Sequence, residues 1–530
     1  MNAILRLTGF FAFMAAVFFL SAVPLPAKDP SWSDLNELVT VLYQKGRYTE
    51  AVSVAKESLE LARKMFGSDH PNVATSLNNL ASLYKSTGRF QEAEPLYQEA
   101  MAIYEKAFGE DHPYVATCLN NLSSLYKSQG KYAKADPLSR KALEVYEKAF
   151  GQDHPQVATT LNNIAEIHRA RGQYAEAEPL YQRALTILEK TMGGDNPNTA
   201  TPMNNLAELY RLQGRFDRAE PLYQKAIEIV SKAFGESHPD VATYKNNLAL
   251  LYKVQGRFED AEKTYMTALH IVERELGKDH PEAAHILNNL AELYRAQGKN
   301  DEAKALYEKS LGIQRAVLGE NSSQTATTLN NLAELYRSTG NLDKAEALFK
   351  QSLEMREQAL GPEHPDVAVA LSNLAGLYYD RARYQEAQDM YERALKIREK
   401  VFVPGHPDIA ILLHNLAGVY QTQARYREAE VLYKRSIGIL EKAFGADHVN
   451  LANSLNNLAL LYKWQGRYDE AAALYQEALA SLEKNYGADH PDVLIVLSNY
   501  AAFLREIGRI REAEEIEERL KRQVEAGSSS

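Results

Sequence analysis

The stretch Met203–Ile227, MNNLAELYRLQGRFDRAEPLYQKAI, decides the fold, because near copies of it recur along the whole chain. Aligning the paired asparagines puts first members at Asn78, Asn120, Asn162, Asn204, Asn246, Asn288, Asn330 and Asn456, all separated by multiples of 42 residues. The second member is more regular still: Asn79, Asn121, Asn163, Asn205, Asn247, Asn289, Asn331, Asn373, Asn415, Asn457 and Asn499. A degenerate unit opens the series at LNELVTVLYQKGRYTEAVSVAKESL, with Glu37 in the second position. Twelve units without an insertion fill residues 33–526 and leave no room for a separate catalytic domain.

Each unit predicts two helices. In the second unit Leu77, Leu80, Ala81 and Tyr84 recur at the spacing of one buried helical face, and Gly88 then interrupts the pattern. A second stripe follows through Phe90, Ala93, Tyr97, Ala100 and Ile103. Gly109 closes that helix, and Asp-His-Pro opens the next with Pro113 in the first turn, where its missing N–H costs nothing. Pro95, Pro137, Pro179 and Pro221 fall in or just after the first turn of four second helices, so they are expected to be tolerated, with a slight bend. A hairpin of this size cannot bury its stripe alone, so neighbours must stack into an all-α solenoid. The charged last helix, RIREAEEIEERLKRQVEA, suits a terminal cap, and Gly527–Ser530 reads as a disordered tail.

These residues resemble the tetratricopeptide repeat (TPR) family. Tyr84, Gly88, Ala93, Tyr97 and Ala100 carry the likeness, and the 42-residue period with FGxDHPxVA between units is similar to the kinesin light chain subclass. The resemblance covers about Ser33 to Ala526 and is confined to the repeats, without that family's coiled coil. It implies a right-handed TPR superhelix of about twelve helix-turn-helix repeats, whose first helices line a concave groove that holds peptide segments of partner proteins.

A helical wheel separates the two asparagines independently of any family. At about 100° per residue, Asn79 lies about 150° from the buried stripe, with Thr75, Ser82 and Ser86 on the same side. Asn78 lies about 110° away, on a flank. The first-member series is expected to pin neighbouring helices. For the second-member series two readings stay open: a row of amides that pairs with the backbone of an extended peptide, or a structural ladder.

Selectivity would come from the residue three after each second asparagine: Ser82, Ser124, Glu166, Glu208, Leu250, Glu292, Glu334, Gly376, Gly418, Leu460 and Ala502. Lys85 and Lys127 beside serines suit acidic segments. The glutamates each precede Arg169, Arg211, Arg295 or Arg337 by three residues, which predicts mutual neutralisation. Leu460 and Trp464 share the groove side, with Tyr379 on a flank, either as an anchor for an apolar partner residue or as filling. Units nine and ten replace the turn glycine by Ala382 and Ala424, which predicts a backbone cost if φ is positive, and a local change of curvature.

Composition narrows the function. A net charge of −10, from 70 acidic and 60 basic residues, gives no basic footprint, so no nucleic-acid partner is expected. The lone Cys118 excludes an internal disulfide. Nine histidines, at 70, 112, 154, 238, 280, 364, 406, 448 and 490, recur one per unit. Stacked helices are about 8–10 Å apart, too far for such residues to share a metal, so they read as loop or helix-start residues. The chain contains no HExxH, GxxxxGK[ST] or GxSxG motif, and neither an enzyme nor a cofactor is expected.

Residues 1–27 combine Arg6, an uncharged apolar run and the small-residue segment VPLPAK, the pattern of a signal peptide, with an uncleaved membrane anchor as the alternative. The expectation is therefore an exported scaffold, periplasmic or secreted, that binds peptide segments of protein partners in its groove. The alternative is a structural or assembly component acting through lateral or end-to-end packing of the solenoid.

Overall fold

The computed structural model describes residues 30–445, 450–488 and 490–527, so the apolar leader and Ser528–Ser530 lie outside the described residues. Within them the chain forms twenty-four α-helices and one short 3-10 turn, paired as twelve hairpins, with no strand. The first hairpins are α1 (Trp32–Gln44) with α2 (Tyr48–Phe66), α3 (Pro71–Ser86) with α4 (Phe90–Phe108), and α5 (Pro113–Ser128) with α6 (Tyr132–Phe150); the last is α23 (Pro491–Glu506) with α24 (Ile510–Gly527).

The histidines start the first helices. His70 Nδ1 accepts the backbone N–H of Asn72 at 3.1 Å, and His112, His154, His238, His280, His406 and His490 do the same at 3.0–3.3 Å. Such a cap uses the imidazole lone pair, so it requires the neutral ring. Where histidine is missing, Asn196 Oδ1 accepts from Asn198 N at 3.0 Å and Ser322 Oγ from Thr325 N at 3.1 Å. α9 (Ala200–Leu212) is preceded by the 3-10 turn Pro197–Thr199. Pro202 has no N–H to give the Asn198 carbonyl, so the regular α pattern cannot begin earlier.

The turn inside each hairpin needs a left-handed residue. Gly88 has φ 75° while Arg89 N bonds Tyr84 O at 2.8 Å across the turn. Ala382 and Ala424 adopt φ 56° and 60°, and Arg383 N–Tyr378 O and Arg425 N–Tyr420 O both remain at 2.8 Å. The alanines therefore carry the backbone cost and keep the turn's hydrogen bond. Pro95 and its equivalents occupy the sixth residue of their helices, just after the first turn, and Pro95 is exposed.

The core is the stripe that the spacing predicts. Leu77, Ala81, Ala93 and Ala100 are fully buried, with Leu80, Tyr84 and Tyr97 nearly so. Full burial of one such large side chain contributes roughly 1.5–3 kcal/mol, and each unit repeats the set. Second helices are stitched to their neighbours as well. Tyr210 OH donates to Glu178 Oε1 at 2.8 Å, and Arg215 bonds the same carboxylate at 2.9 Å while its guanidinium lies 4.2 Å from the Tyr210 ring. The trios Tyr252–Glu220–Arg257 and Tyr462–Glu430–Arg467 repeat this arrangement.

The helices fall into two compact units. The first holds the described residues up to Ala170 together with Tyr174–His364, and the second holds Arg171–Gln173 with the chain from Pro365 onward.

Candidate partner-binding face

The second asparagines are bonded from unit to unit. Asn79 Nδ2 donates to Asn36 Oδ1 at 3.0 Å, and Asn121 to Asn78 at 2.8 Å, so each amide reaches back one repeat and one residue. Asn205, Asn247, Asn289 and Asn331 donate in the same way to Asn162, Asn204, Asn246 and Asn288 at 2.9–3.2 Å, and Asn499 donates to Asn456 at 3.1 Å. In several units the first amide donates to its own neighbour, Asn204 to Asn205 at 3.3 Å and Asn246 to Asn247 at 3.4 Å. The result is a continuous amide chain from Asn289 to Asn162. Asn205 also donates to Glu166 Oε1 at 3.3 Å, so its N–H groups and its carbonyl all have partners within the protein.

At Asn163 the ladder is interrupted, with a clear cause. Asn120 turns its Nδ2 to Thr160 Oγ1 at 2.9 Å, and its Oδ1 is buried without a hydrogen bond, so Asn163 has no amide partner one repeat back. Asn163 is half-buried. In the second unit His414 stands in the first position. Its Nδ1 pairs with Ser454 Oγ at 3.0 Å, and its Nε2 lies 3.1 Å from Asn457 Nδ2. Burial pushes His414 down to about 4, which keeps the ring a neutral acceptor for Asn457. Asn415 and Asn373 are half-buried on their helices as well.

Charges run beside the ladder. Lys85, Lys127, Arg169, Arg211, Lys253, Arg295 and Arg337 occupy one register position in seven consecutive repeats of the first unit. They share this face with Glu166, Glu208, Glu292 and Glu334, so seven cations meet four carboxylates on a chain of net charge −10. The predicted neutralisation within each repeat holds at Glu208–Arg211, 2.7 Å, and Glu334–Arg337, 3.2 Å. Glu166 and Glu292 instead take Lys127 and Lys253 from the preceding repeat, the latter pair at 2.7 Å. Burial opposes ionisation of Glu208, but hydrogen bonds and charge from Arg211 outweigh it and hold the carboxyl below its usual value.

Lys85 is different. Its Nζ donates to Ser124 Oγ at 2.9 Å rather than to a carboxylate, and burial together with the Lys127 charge pushes the amine down to about 8, against a weaker pull from Glu166. A lysine beside a serine suggests base and nucleophile. Ser124 lies inside α5, however, where neighbouring backbone N–H groups belong to the helix, so no pair of donors converges on an oxyanion site. Cys118 is buried and its thiol is pushed up to about 12 by that burial, far from a reactive thiolate.

In the second unit the face turns apolar. Trp464 is 51% exposed with Tyr426 6.2 Å from it, Leu460 is half-buried, and Tyr379 is exposed with its hydroxyl 2.9 Å from Thr422 Oγ1. A further column escaped the sequence reading. The residue four before each second asparagine is Thr75, Thr117, Thr159, Thr201, Thr243, His285 and Thr327 in the first unit, but Val369, Ile411 and Ile495 in three repeats of the second. Ile411 and Ile495 are 55% and 57% exposed. The 42-residue register alone would have found it.

Among the described residues no helix is long and apolar enough to cross a membrane. No curated protein sequence matches this chain. Among solved structures it is similar to BtubC (BKLC) from P. vanneervenii, at 27% identity over 44% of this chain and 91% of that one, with a TM-score of 0.36. It is also similar to a Podosopora anserina putative kinesin light chain with nearly identical TPR-like repeats, at 25% identity over 39% of this chain and 97% of that one, with a TM-score of 0.33. The tetratricopeptide repeat model matches in nine overlapping segments, at 32–106, 77–148, 126–190, 156–232, 199–265, 240–316, 324–400, 408–484 and 450–523. The chain belongs to the tetratricopeptide repeat family.

Proposed function

We propose that this chain is an exported scaffold that binds extended segments of partner proteins along the ladder face, with acidic segments on the first unit and apolar side chains on the second. The family supports a role in protein–protein interaction. The observation that carries the finer reading is the excess of cations over carboxylates in the column from Lys85 to Arg337, with the Lys85 ammonium donating to the Ser124 hydroxyl rather than to a carboxylate. A half-buried cation beside a second cation is costly, and an incoming carboxylate relieves that cost. The exposed Ile411, Ile495 and Trp464 support the apolar half of the proposal. Export rests on the apolar leader, and the mass of the mature chain tests its cleavage.

Fluorescence anisotropy with glutamate-rich, lysine-rich and neutral decapeptides tests the first unit. The glutamate-rich peptide is expected to bind, to weaken with added salt, and to weaken with K85A and K127A. Equal binding of all three peptides would remove the reading. Concentration-dependent self-association of the full chain without peptide binding would favour the assembly role instead.

A further inference from the structure

Loop histidines also make contacts across the coil: two in the first unit, His280 and His364, and His406 against Gly172 in the second. In the first unit the turn between α1 and α2 meets the start of α13 (Pro281–Ala296), 234 residues later in sequence. The fit is close. A Cβ on Gly46 would lie 2.9 Å from His280 Cδ2 and 2.9 Å from Pro281 Cδ, and Gly46 has φ 67°. At nearly the same interval, His364 Nε2 lies 3.2 Å from the carbonyl oxygen of Ser128 at the end of α5, and His364 is buried. The register between these two has Ser322 instead of histidine, and nothing comes within 4 Å of a Cβ on Gly88. The first unit therefore coils until one turn of the coil touches the next, and histidine marks the contacts.

We propose that His280 forms a pH-dependent clasp, holding successive coils of the first unit together while its imidazole is neutral and releasing them on acidification. The chemistry is local. His280 Nδ1 accepts the Glu282 N–H at 3.2 Å, so a proton on that nitrogen would face a donor, and the ring is packed where the cation loses water. His364 Nε2–H donates to one of the free carbonyls at a helix end, a bond that a second proton on the ring leaves in place, so this contact stays fixed while His280 titrates. The Gln44 backbone from the turn and Glu282 from its own helix act on His280, and Glu282 in turn acts on Tyr48 of α2. Lys45 and Arg47 of the same turn are exposed, and Arg47 is held by Glu50 at 2.6 Å.

The sign follows from these groups. Burial lowers His280 below 6.5, while Glu282 and the Gln44 backbone pull weakly the other way. In the open coil the ring regains its ordinary value, so the clasp is at full strength above about pH 6.5 and weakens as pH falls through the lower value. The device is independent of what the ladder face binds.

Small-angle scattering of the full chain between pH 7.5 and 5.0, with circular dichroism in parallel, tests it. The radius of gyration is expected to rise on acidification, with a midpoint below 6.5 and helicity retained. The substitution H280N keeps an N-cap, as Asn196 does in the same loop position, but cannot titrate. It is expected to reduce the step, whereas H70N, at an exposed cap, leaves it in full. An unchanged radius in the wild type, a step undiminished in H280N, or an expansion that tracks loss of helicity would each overturn the clasp.

Discussion

Asn205 Nδ2 donates to Asn162 Oδ1 at 3.0 Å, one repeat and one residue earlier in the chain. The pair explains why two asparagines recur together. The second amide of one repeat needs the first amide of the previous one, so losing either leaves its partner short of a bond. Position and partner are fixed by stacking, and the same bond recurs at Asn79–Asn36, Asn121–Asn78, Asn247–Asn204, Asn289–Asn246, Asn331–Asn288 and Asn499–Asn456, while Asn120 turns away from Asn163.

The asparagine pair gives a first prediction. N205A and N162A should each lower the local stability of the fourth and fifth repeats by about 1 kcal/mol, the usual net value of one hydrogen bond. The double variant should lose clearly less than the sum, because both changes remove the same bond. Repeat arrays do not unfold in a single step, so native-state hydrogen exchange resolved by repeat is the appropriate measurement. Additive losses would show that the ladder is not an energetic unit. For tests of partner binding, N163A is the cleaner probe, because no ladder amide depends on Asn163.

Ala382 and Ala424 hold a conformation that glycine adopts freely. The left-handed region costs a non-glycine residue about 1–2 kcal/mol, partly offset by the smaller backbone entropy that alanine loses on folding. A382G and A424G should therefore stabilise the ninth and tenth hairpins by about 0.5–1 kcal/mol, and G88A should destabilise the second by a similar amount. Thermal unfolding with exchange protection of the flanking helices measures both. A destabilising A382G would mean that alanine makes a contact worth more than the strain.

Much of this was legible in the sequence because it is local. The stripe Leu77–Leu80–Ala81–Tyr84, the turn glycines and the 42-residue register all follow from spacing within one hairpin. The pairing partners were not, since the ladder joins residues 43 apart and the wheel treats a helix as isolated. For the same reason Glu166 was assigned to Arg169 on its own helix, whereas Lys127 reaches it from the repeat before. The contact of Gly46 with His280 has no local signal at all. It exists only because several hairpins, each rotated slightly on the last, bring a distant loop back to the first turn.

Lys85 should behave as an unusually weak acid-holding group among the lysines. Burial comes first and Lys127 second in lowering it to about 8, so K127M should move it upward without restoring the ordinary value. Trace acetylation as a function of pH, read by peptide mass spectrometry, reports the amine directly. Lys85 should label at a lower pH than an ordinary exposed lysine side chain does. An unchanged Lys85 profile in K127M would show that the two ammonium groups do not interact.

The histidine caps predict how the whole array responds to acid. His112, His154 and His280 are all lowered from their ordinary value of 6.5 by burial. The unfolded chain therefore takes up protons first as pH falls. Below about 6.5 the folded state loses stability relative to the unfolded state, down to the lower folded values, and above it the caps contribute fully. Serine already fills this role at Ser322, so H112S and H154S should keep an N-cap, worth about 1 kcal/mol, and remove the titration. Urea unfolding at pH 7.5 and 5.5 should show the wild type losing more stability on acidification than the double serine variant. Equal losses in the two chains would place the acid sensitivity in other groups and reduce the histidines to interchangeable helix starters.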